Sequence, residues 1–301
     1  MNTGTPTIWN AVFTTAKARG LPINIPTYST INEVINDGVL VPSIPSVPTA
    51  GMEMAEPYNY TTDSDLLKVT LFCIGNGGHR QVNGGTGVVP IFTQKPHRAT
   101  DAALYHMIPF VVKPIAFDLT GADRAKFRLR RTLSIGGDLY AAYFGRVLPV
   151  ATGDVDMEQL IIQSGGNQVK SIFTPSINNL RITEPPLTGS TDTVYVSSDY
   201  QESLTFSDQD VTWLEEACTL LYGDPNYAMV SEVAICTGAD KPITEVYPAT
   251  GTQTPAAPTG ATRYETVGCQ VYTFNYVEHK VAGSPSFNWT INTAVSEPLL
   301  T

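Results

Sequence analysis

The sequence predicts a mainly β protein: an antiparallel, β-sandwich-like core, one core α-helix at about 208–222, and an extended, proline-rich N-terminal arm. Three observations lead there. Apolar runs of strand length recur from residue 65 onward, separated by glycine, proline and asparagine turn signals. A single segment keeps the 3.6-residue period of a helix between a clear start and a clear stop signal. Pro22, Pro26, Pro42, Pro45, Pro48 and Pro57 punctuate the first 60 residues, where no pattern builds a core.

The arm spans residues 1–60. Its stretch "PTIWNAVFTTAKARG" places Pro6 near a first helical position and Gly20 past the last, with Ile8, Val12 and Ala16 at helical spacing, so a short helix is expected. "VPSIPSVPTAG" has the three-residue rhythm of an extended, polyproline-like path. Such a segment is either a mobile linker or is laid across a neighbouring surface that supplies its burial, and the second is expected.

Residues 61–301 form the mainly β domain of this reading. "LLKVTLFCI" and "GVVPIFT" are strands, and Pro109 and Pro114 in "YHMIPFVVKPIAF" suit edge or bulged ones. In "KFRLRRTLSIGGDLYAAYFGRVLPV", Phe127, Leu129, Leu133 and Ile135 alternate with Arg128, Arg130, Thr132 and Ser134, which predicts one buried and one wet face. Gly136, Gly137 and Asp138 turn that segment into a hairpin. "EQLIIQSGGNQVKSIF" repeats the design around Gly165, Gly166 and Asn167, and "TVYVSS" and "YQESLTF" add two strands. The helix is "SDQDVTWLEEACTLLYG". Ser207 caps it with Asp210 three residues on, Val211, Leu214, Cys218 and Leu221 line one face, and Gly223 and Pro225 end it. "YAMVSEVAICTG", "CQVYTFNYVEHKV" and "SPSFNWTIN" are the closing strands. The Pro/Thr loop near 240–262 is long for a compact domain and is a candidate contact loop.

Composition narrows the function classes. With 18 Lys and Arg against 28 Asp and Glu, the formal charge of −10 argues against a nucleic-acid surface spread over the molecule. Charged residues are 15% of the chain, against roughly 25% in an ordinary soluble domain. Interface centres are depleted in Lys, Glu and Asp, so this composition fits a surface that meets other subunits, and it also fits a turn-rich β protein. No window approaches the roughly 20 apolar residues of a membrane-spanning helix. The first 20 residues lack the basic start, apolar segment and cleavage site of a secretory signal, and the expectation is a soluble chain that stays in the cytoplasm where it is made.

Chemical motifs are sparse. "FCIGNGGHRQVNGGTGVVP" (72–90) packs six glycines behind an apolar run, but neither Gly75 nor Gly85 starts a GxGxxG, no Gly-Lys-Ser/Thr occurs, and a strand follows instead of a helix. The expectation is a mobile loop between strands. Cys73, Cys218, Cys236 and Cys269 form no CxxC pair and read as core hydrophobes. His79, His97, His106 and His279 show no metal-ligand spacing, and no GxSxG elbow exists. The one foothold for nucleophilic catalysis is Cys269 with His279, meeting across a hairpin. Asp63 with Asp65 and Asp154 with Asp156 fall in turns, where local hydrogen bonding explains them. No catalytic, cofactor or metal residue is therefore assigned. Alternation puts Tyr272, Phe274 and Tyr276 on one strand face, a core arrangement more than a sugar platform. With Trp289 they are the only aromatic basis for a carbohydrate-binding alternative.

The local charge anomaly is "RAKFRLRR". Arg124, Lys126, Arg128, Arg130 and Arg131 are candidates for contact with a neighbouring subunit or with phosphates, and a solvated strand face explains them equally. A weak contact with packaged DNA ranks behind both, because no aromatic residues interleave the bases.

"RRTLSIGGDLYAAYFGRVL" (130–148), "WLEEACTLLYGDPNYAMVSEVAICTGADK" (213–241) and "VYTFNYVEHKV" (271–281) together resemble tailed-bacteriophage virion structural proteins of about 300 residues, found in head, neck and tail assemblies. The resemblance implies a virion location and a non-enzymatic subunit of a homo-oligomeric ring in the head-to-tail connector, neck or tail. A capsid decoration or other capsid-associated protein is the alternative, and a β-sandwich carbohydrate-binding module the alternative from another class. Implied partners are copies of the chain itself and portal, adaptor, tail or capsid components, with no membrane span. The family supplies no site motif to carry over.

Overall fold

The computed structural model describes residues 4–37, 56–82, 91–149, 157–162, 167–180, 193–243, 263–280, 283 and 286–299. The proline rhythm of 41–51, Gly84, Gly85 and Gly87 of the glycine stretch, Asp154, Asp156 and most of the Pro/Thr loop lie outside them.

Thr7 fixes where the chain first becomes helical. Its hydroxyl accepts the Asn10 N–H as the N-cap of α1 (Ile8–Arg19) and donates to the Val271 carbonyl at 2.5 Å, and Gly20 closes the helix at φ +61°, a conformation that favours glycine. Pro6 does not open the helix; it sits in β1 (Thr5–Pro6), which pairs with Thr273 and Phe274. The expected Ile8–Val12 stripe stays exposed, and α1 is held by buried Ala16 and by Phe13, edge-on to Tyr272 at 6.0 Å. Ile23, Ile25, Tyr58 and Leu67 extend this cluster to Ala239 and Val267. α2 (Ile31–Asp37) inserts fully buried Ile31 into the main core. Before it, the Glu33 carboxylate accepts N–H groups from Tyr28, Ser29 and Thr30; burial would raise its pKa, but these bonds outweigh it and hold it below the ordinary value. Residues 5–37 therefore pack on the body of their own chain, because Ile23 and Ile31 find apolar partners there.

Two units follow from the chain's contacts, one of residues 5–148 with 205–288 and one of 149–204 with 289–301 and the first four residues. The first is built around α3 (Tyr60–Asp63), β2 (Lys68–Gly75), β3 (His79–Val82), β4 (Ile91–Gln94), β5 (Met107–Ile108), β6 (Val111–Pro114), α4 (Gly121–Ala125), β7 (Phe127–Ile135) and β8 (Asp138–Val147). Gly136 and Gly137, at φ +64° and +97°, make the two-residue turn between β7 and β8. The second unit is an antiparallel sheet in the order β10 (Gln168–Ile172), β9 (Met157–Ile162), β11 (Thr193–Phe206), β15 (Phe287–Leu299). β11 is one strand of 14 residues where the sequence divides into two.

The chain returns to the first unit through α5 (Asp208–Tyr222), the expected core helix, and then β12 (Met229–Pro242), β13 (Tyr264–Val267) and β14 (Val271–Lys280). Ser207 and Asp210 form a full capping box, and Gly223 ends α5 at φ +79°. The main sheet runs β1-β14-β12-β2-β8-β6, with β7 also on β8, β13 on β12 and β5 on β2. Pro114 lies in β6, an outer strand, as a missing N–H requires. The sheet curls until β13 packs against β7. Inside it Leu71, Leu129, Phe144, Ala234 and Val271 share one core; outside it Phe72 meets Phe110 at 5.3 Å, and Trp213 of α5 meets Phe127 at 6.2 Å.

Ser207→Ala removes the Oγ that accepts the Asp210 N–H and should lower stability by about 1 kcal/mol, seen as an earlier denaturation midpoint. An unchanged midpoint would mean that packing alone fixes the start of α5.

Candidate functional site

The basic run of the sequence is internal. Arg124, Arg128, Arg130 and Arg131 are 3%, 8%, 3% and 8% exposed, and of the five only Lys126 is on the surface, 2.9 Å from Asp123. The wet face expected for Arg128 and Arg130 does not exist, because β7 lies between β8 and β13 and both of its faces are covered. Each arginine has a carboxylate or carbonyl at hand. Arg128 reaches Asp240 of β12 at 3.1 Å, Arg130 reaches Asp118 at 2.8 Å, Arg131 reaches Glu265 of β13 at 2.7 Å, and Arg124 donates to the Phe127 carbonyl at 2.9 Å. Leu129 breaks the strand period at φ +54°, and the Arg130 N–H after it donates to Glu265 at 3.2 Å. Such a conformation costs a leucine roughly 1–2 kcal/mol, which its surroundings must offset, and Leu129 is fully buried in the main core. Asp118 also accepts the Tyr143 hydroxyl at 2.6 Å; burial, then the Asp118 charge, pushes that phenol far above its ordinary pKa. The Arg131 guanidinium and the Arg130 N–H join β7 to Glu265 of β13 in a seam, Arg128 ties the strand to β12 and the Arg130 guanidinium to Asp118, and the subunit and phosphate contacts expected of Arg124, Arg128, Arg130 and Arg131 do not fit their burial.

A second charged centre lies at Glu232, fully buried on β12. One carboxylate oxygen accepts the N–H groups of Gly77 (3.3 Å) and His106 (3.0 Å); the other accepts Tyr105 N–H (3.2 Å) and lies 3.2 Å from His97 Nε2. Asp101 faces the opposite ring nitrogen of His97 at 3.5 Å. Phe274 stacks on that ring at 3.7 Å and 4°, with Tyr105 at 4.6 Å. Glycine is required here by close approach, since a Cβ on Gly75 would lie 2.5 Å from the His106 carbonyl oxygen and 2.6 Å from Glu232 Oε1. The first glycines of the 72–90 stretch thus form an anion cradle after all, and the anion is a side chain of the same protein. Residues 75–78 are a fixed turn, not the mobile loop expected. Beside them, His106 bonds to Asn76 Oδ1; burial pushes its pKa below the ordinary value, against an opposing pull from Glu232.

The remaining candidates are structural. Cys73, Cys218, Cys236 and Cys269 are all buried as expected, and burial pushes Cys218 up to about 12 and Cys236 and Cys269 well above the ordinary thiol value. Cys269 precedes β14 and His279 lies near its far end, so ten residues at about 3.3 Å each separate them and the proposed thiol–base pair does not form. Asp63 and Asp65 are not a catalytic pair: Asp63 accepts the Asn59 N–H and sits 2.7 Å from Lys241. Burial would raise Asp63, but the Lys241 bond and its companions hold its pKa below the ordinary value. Phe274 is core, and Tyr276 donates to the Lys95 carbonyl, so the strand face offers no sugar platform; the Trp289 side chain is outside the described ones. Among the described residues no group of three or more His, Cys, Asp or Glu is arranged to hold a metal ion, and no helix is long and apolar enough to cross a membrane.

The chain belongs to a family of unknown function, DUF7208, whose model matches residues 54–301. No curated protein and no solved structure matches it.

Glu265→Gln leaves Arg131 buried beside a neutral amide and should cost about 3–5 kcal/mol by chemical denaturation; a loss no larger than that of exposed Lys126→Ala would disprove the seam. For His106 the fold favours the neutral ring, so unfolding takes up a proton and stability falls as pH drops from the ordinary value of 6.5 towards the lower folded one. His106→Gln should flatten that part of the stability profile, and an unaltered profile would assign it elsewhere.

Proposed function

We propose that the protein is a non-enzymatic structural subunit that assembles with copies of itself into a ring of a bacteriophage particle, in the head-to-tail connector, neck or tail. The observation that carries this reading is where the charge resides. Arg124, Arg128, Arg130, Arg131 and Arg263 are buried with Asp63, Asp210, Glu232 and Glu265, so a chain already poor in charge keeps at most 13 of its 18 bases and 24 of its 28 acids outside. Large apolar side chains stand on that exterior, with Tyr28 84%, Phe92 69% and Phe117 77% exposed. Few charges and many uncharged and aromatic groups suit the centre of a subunit interface. Among the described residues, Glu232, His97, Asp118 and Asp63 are committed to partners inside the fold. In this reading the partners are other copies and the neighbouring portal, adaptor, tail or capsid proteins.

Electron microscopy of the purified chain at its highest soluble concentration tests the proposal. Closed rings are expected, together with the chain's peptides in purified particles by mass spectrometry; a monomer absent from particles overturns it.

A further inference from the structure

We infer that copies meet head to tail, the β3–β4 hairpin of one copy seating in the groove along α5 of the next. This rests on the ring reading above and names its contact surface.

The hairpin is built as a probe. Among the described strands, the backbone ladder of β3 and β4 is with each other, and a two-stranded ribbon is marginal in water by itself. Its root is nonetheless rigid. Lys95 N–H donates to the Gly78 carbonyl at 2.7 Å, Gly78 N–H to Ser231 Oγ at 2.9 Å, and Gly77 and His97 on either side both reach Glu232. From this clamped base the ribbon carries Phe92, opposite Gln81 in the ladder, out into solvent. Arg80 on β3 and Lys95 just after β4 flank the root in sequence, with Lys95 4.8 Å from the Tyr105 ring, and Arg98 beyond them pairs with Asp101 at 2.8 Å. On an exterior dominated by acids this is a basic, aromatic element.

The groove has the opposite character. A shallow depression of about 430 Å³ is lined by Thr212, Glu215, Glu216, Thr219, Leu220 and Pro225. Leu220 and Pro225 give it apolar walls, and the two glutamates edge it. Glu216 has Lys113 at 2.6 Å and Glu215 accepts the Gly283 N–H at 2.5 Å, but α5 places no basic residue in its last turn, so the negative end of the helix dipole is uncompensated there. An apolar, acid-edged groove matches an aromatic side chain, Phe92 of β4, carried above a basic root. Both surfaces belong to one chain and differ from each other, which is a heterologous arrangement, the kind that forms a ring where the rotation between copies closes.

Phe92→Asp spoils the hairpin and leaves the groove; Thr219→Arg fills the groove and leaves the hairpin. Both side chains are exposed, and unchanged far-UV circular dichroism checks the fold. Each variant alone should be monomeric by light scattering, and their equimolar mixture should give a two-chain complex and nothing larger. A wild-type chain that is itself monomeric would overturn the ring reading, and this contact with it. A wild-type oligomer that survives either substitution would overturn this contact alone. Independently of stability, a photo-crosslinking residue at position 92 of the otherwise wild-type oligomer should link to peptides of 212–225 of another copy, and links confined elsewhere would also overturn it.

Discussion

Burying positive charge on β7 is the constraint on which the main unit depends. A guanidinium removed from water is tolerated only where a polar partner meets it at close range, and three arginines in one short strand, with Arg124 just before it, multiply that demand. The acids come from three places: Asp118 after β6, Asp240 on β12 and Glu265 on β13. β13 shares no backbone ladder with β7, so these side chains, with the left-handed turn at Leu129, do the work that hydrogen-bonded strands do elsewhere around the sheet. Apolar residues of equal volume would pack such a seam at least as stably. Arginines and acids add a register, because each pair is satisfied at one alignment only.

Glu232 applies the same logic to backbone groups. Segments near residues 77, 97 and 105 contain no strand long enough to satisfy their own N–H groups, and one carboxylate collects three of them and a histidine ring. Irregular chain is thereby held against a regular sheet as firmly as a strand would be. The hairpin that leaves this region inherits a fixed base.

Local chemistry was legible in the sequence and long-range chemistry was not. The helix at 208–222, its Ser207 cap and Gly223 stop, the β7–β8 hairpin, and Pro114 on an outer strand all follow from signals within a few residues, and the fold has them where expected. The alternation in "KFRLRR" was equally visible but misleading, since whether an arginine is wet depends on Asp118, Asp240 and Glu265, up to 134 residues away. For Glu232 the sequence holds one faint signal, a lone carboxylate within the apolar run "MVSEVAIC". The arm misled for a related reason: its own residues cannot form a core, but β13 and β14 at the other end of the chain supply one.

The pairing of β1 with β14 has a consequence for synthesis. Thr5 lies opposite Phe274, and β2, the middle of the main sheet, lies between β8 and β12. On the ribosome the first half of the chain therefore emerges with its central strand half-satisfied and its leading segment without a place to rest. Both must wait until β12 and β14 have been made, and the early strands spend that interval exposed to chaperones and to one another.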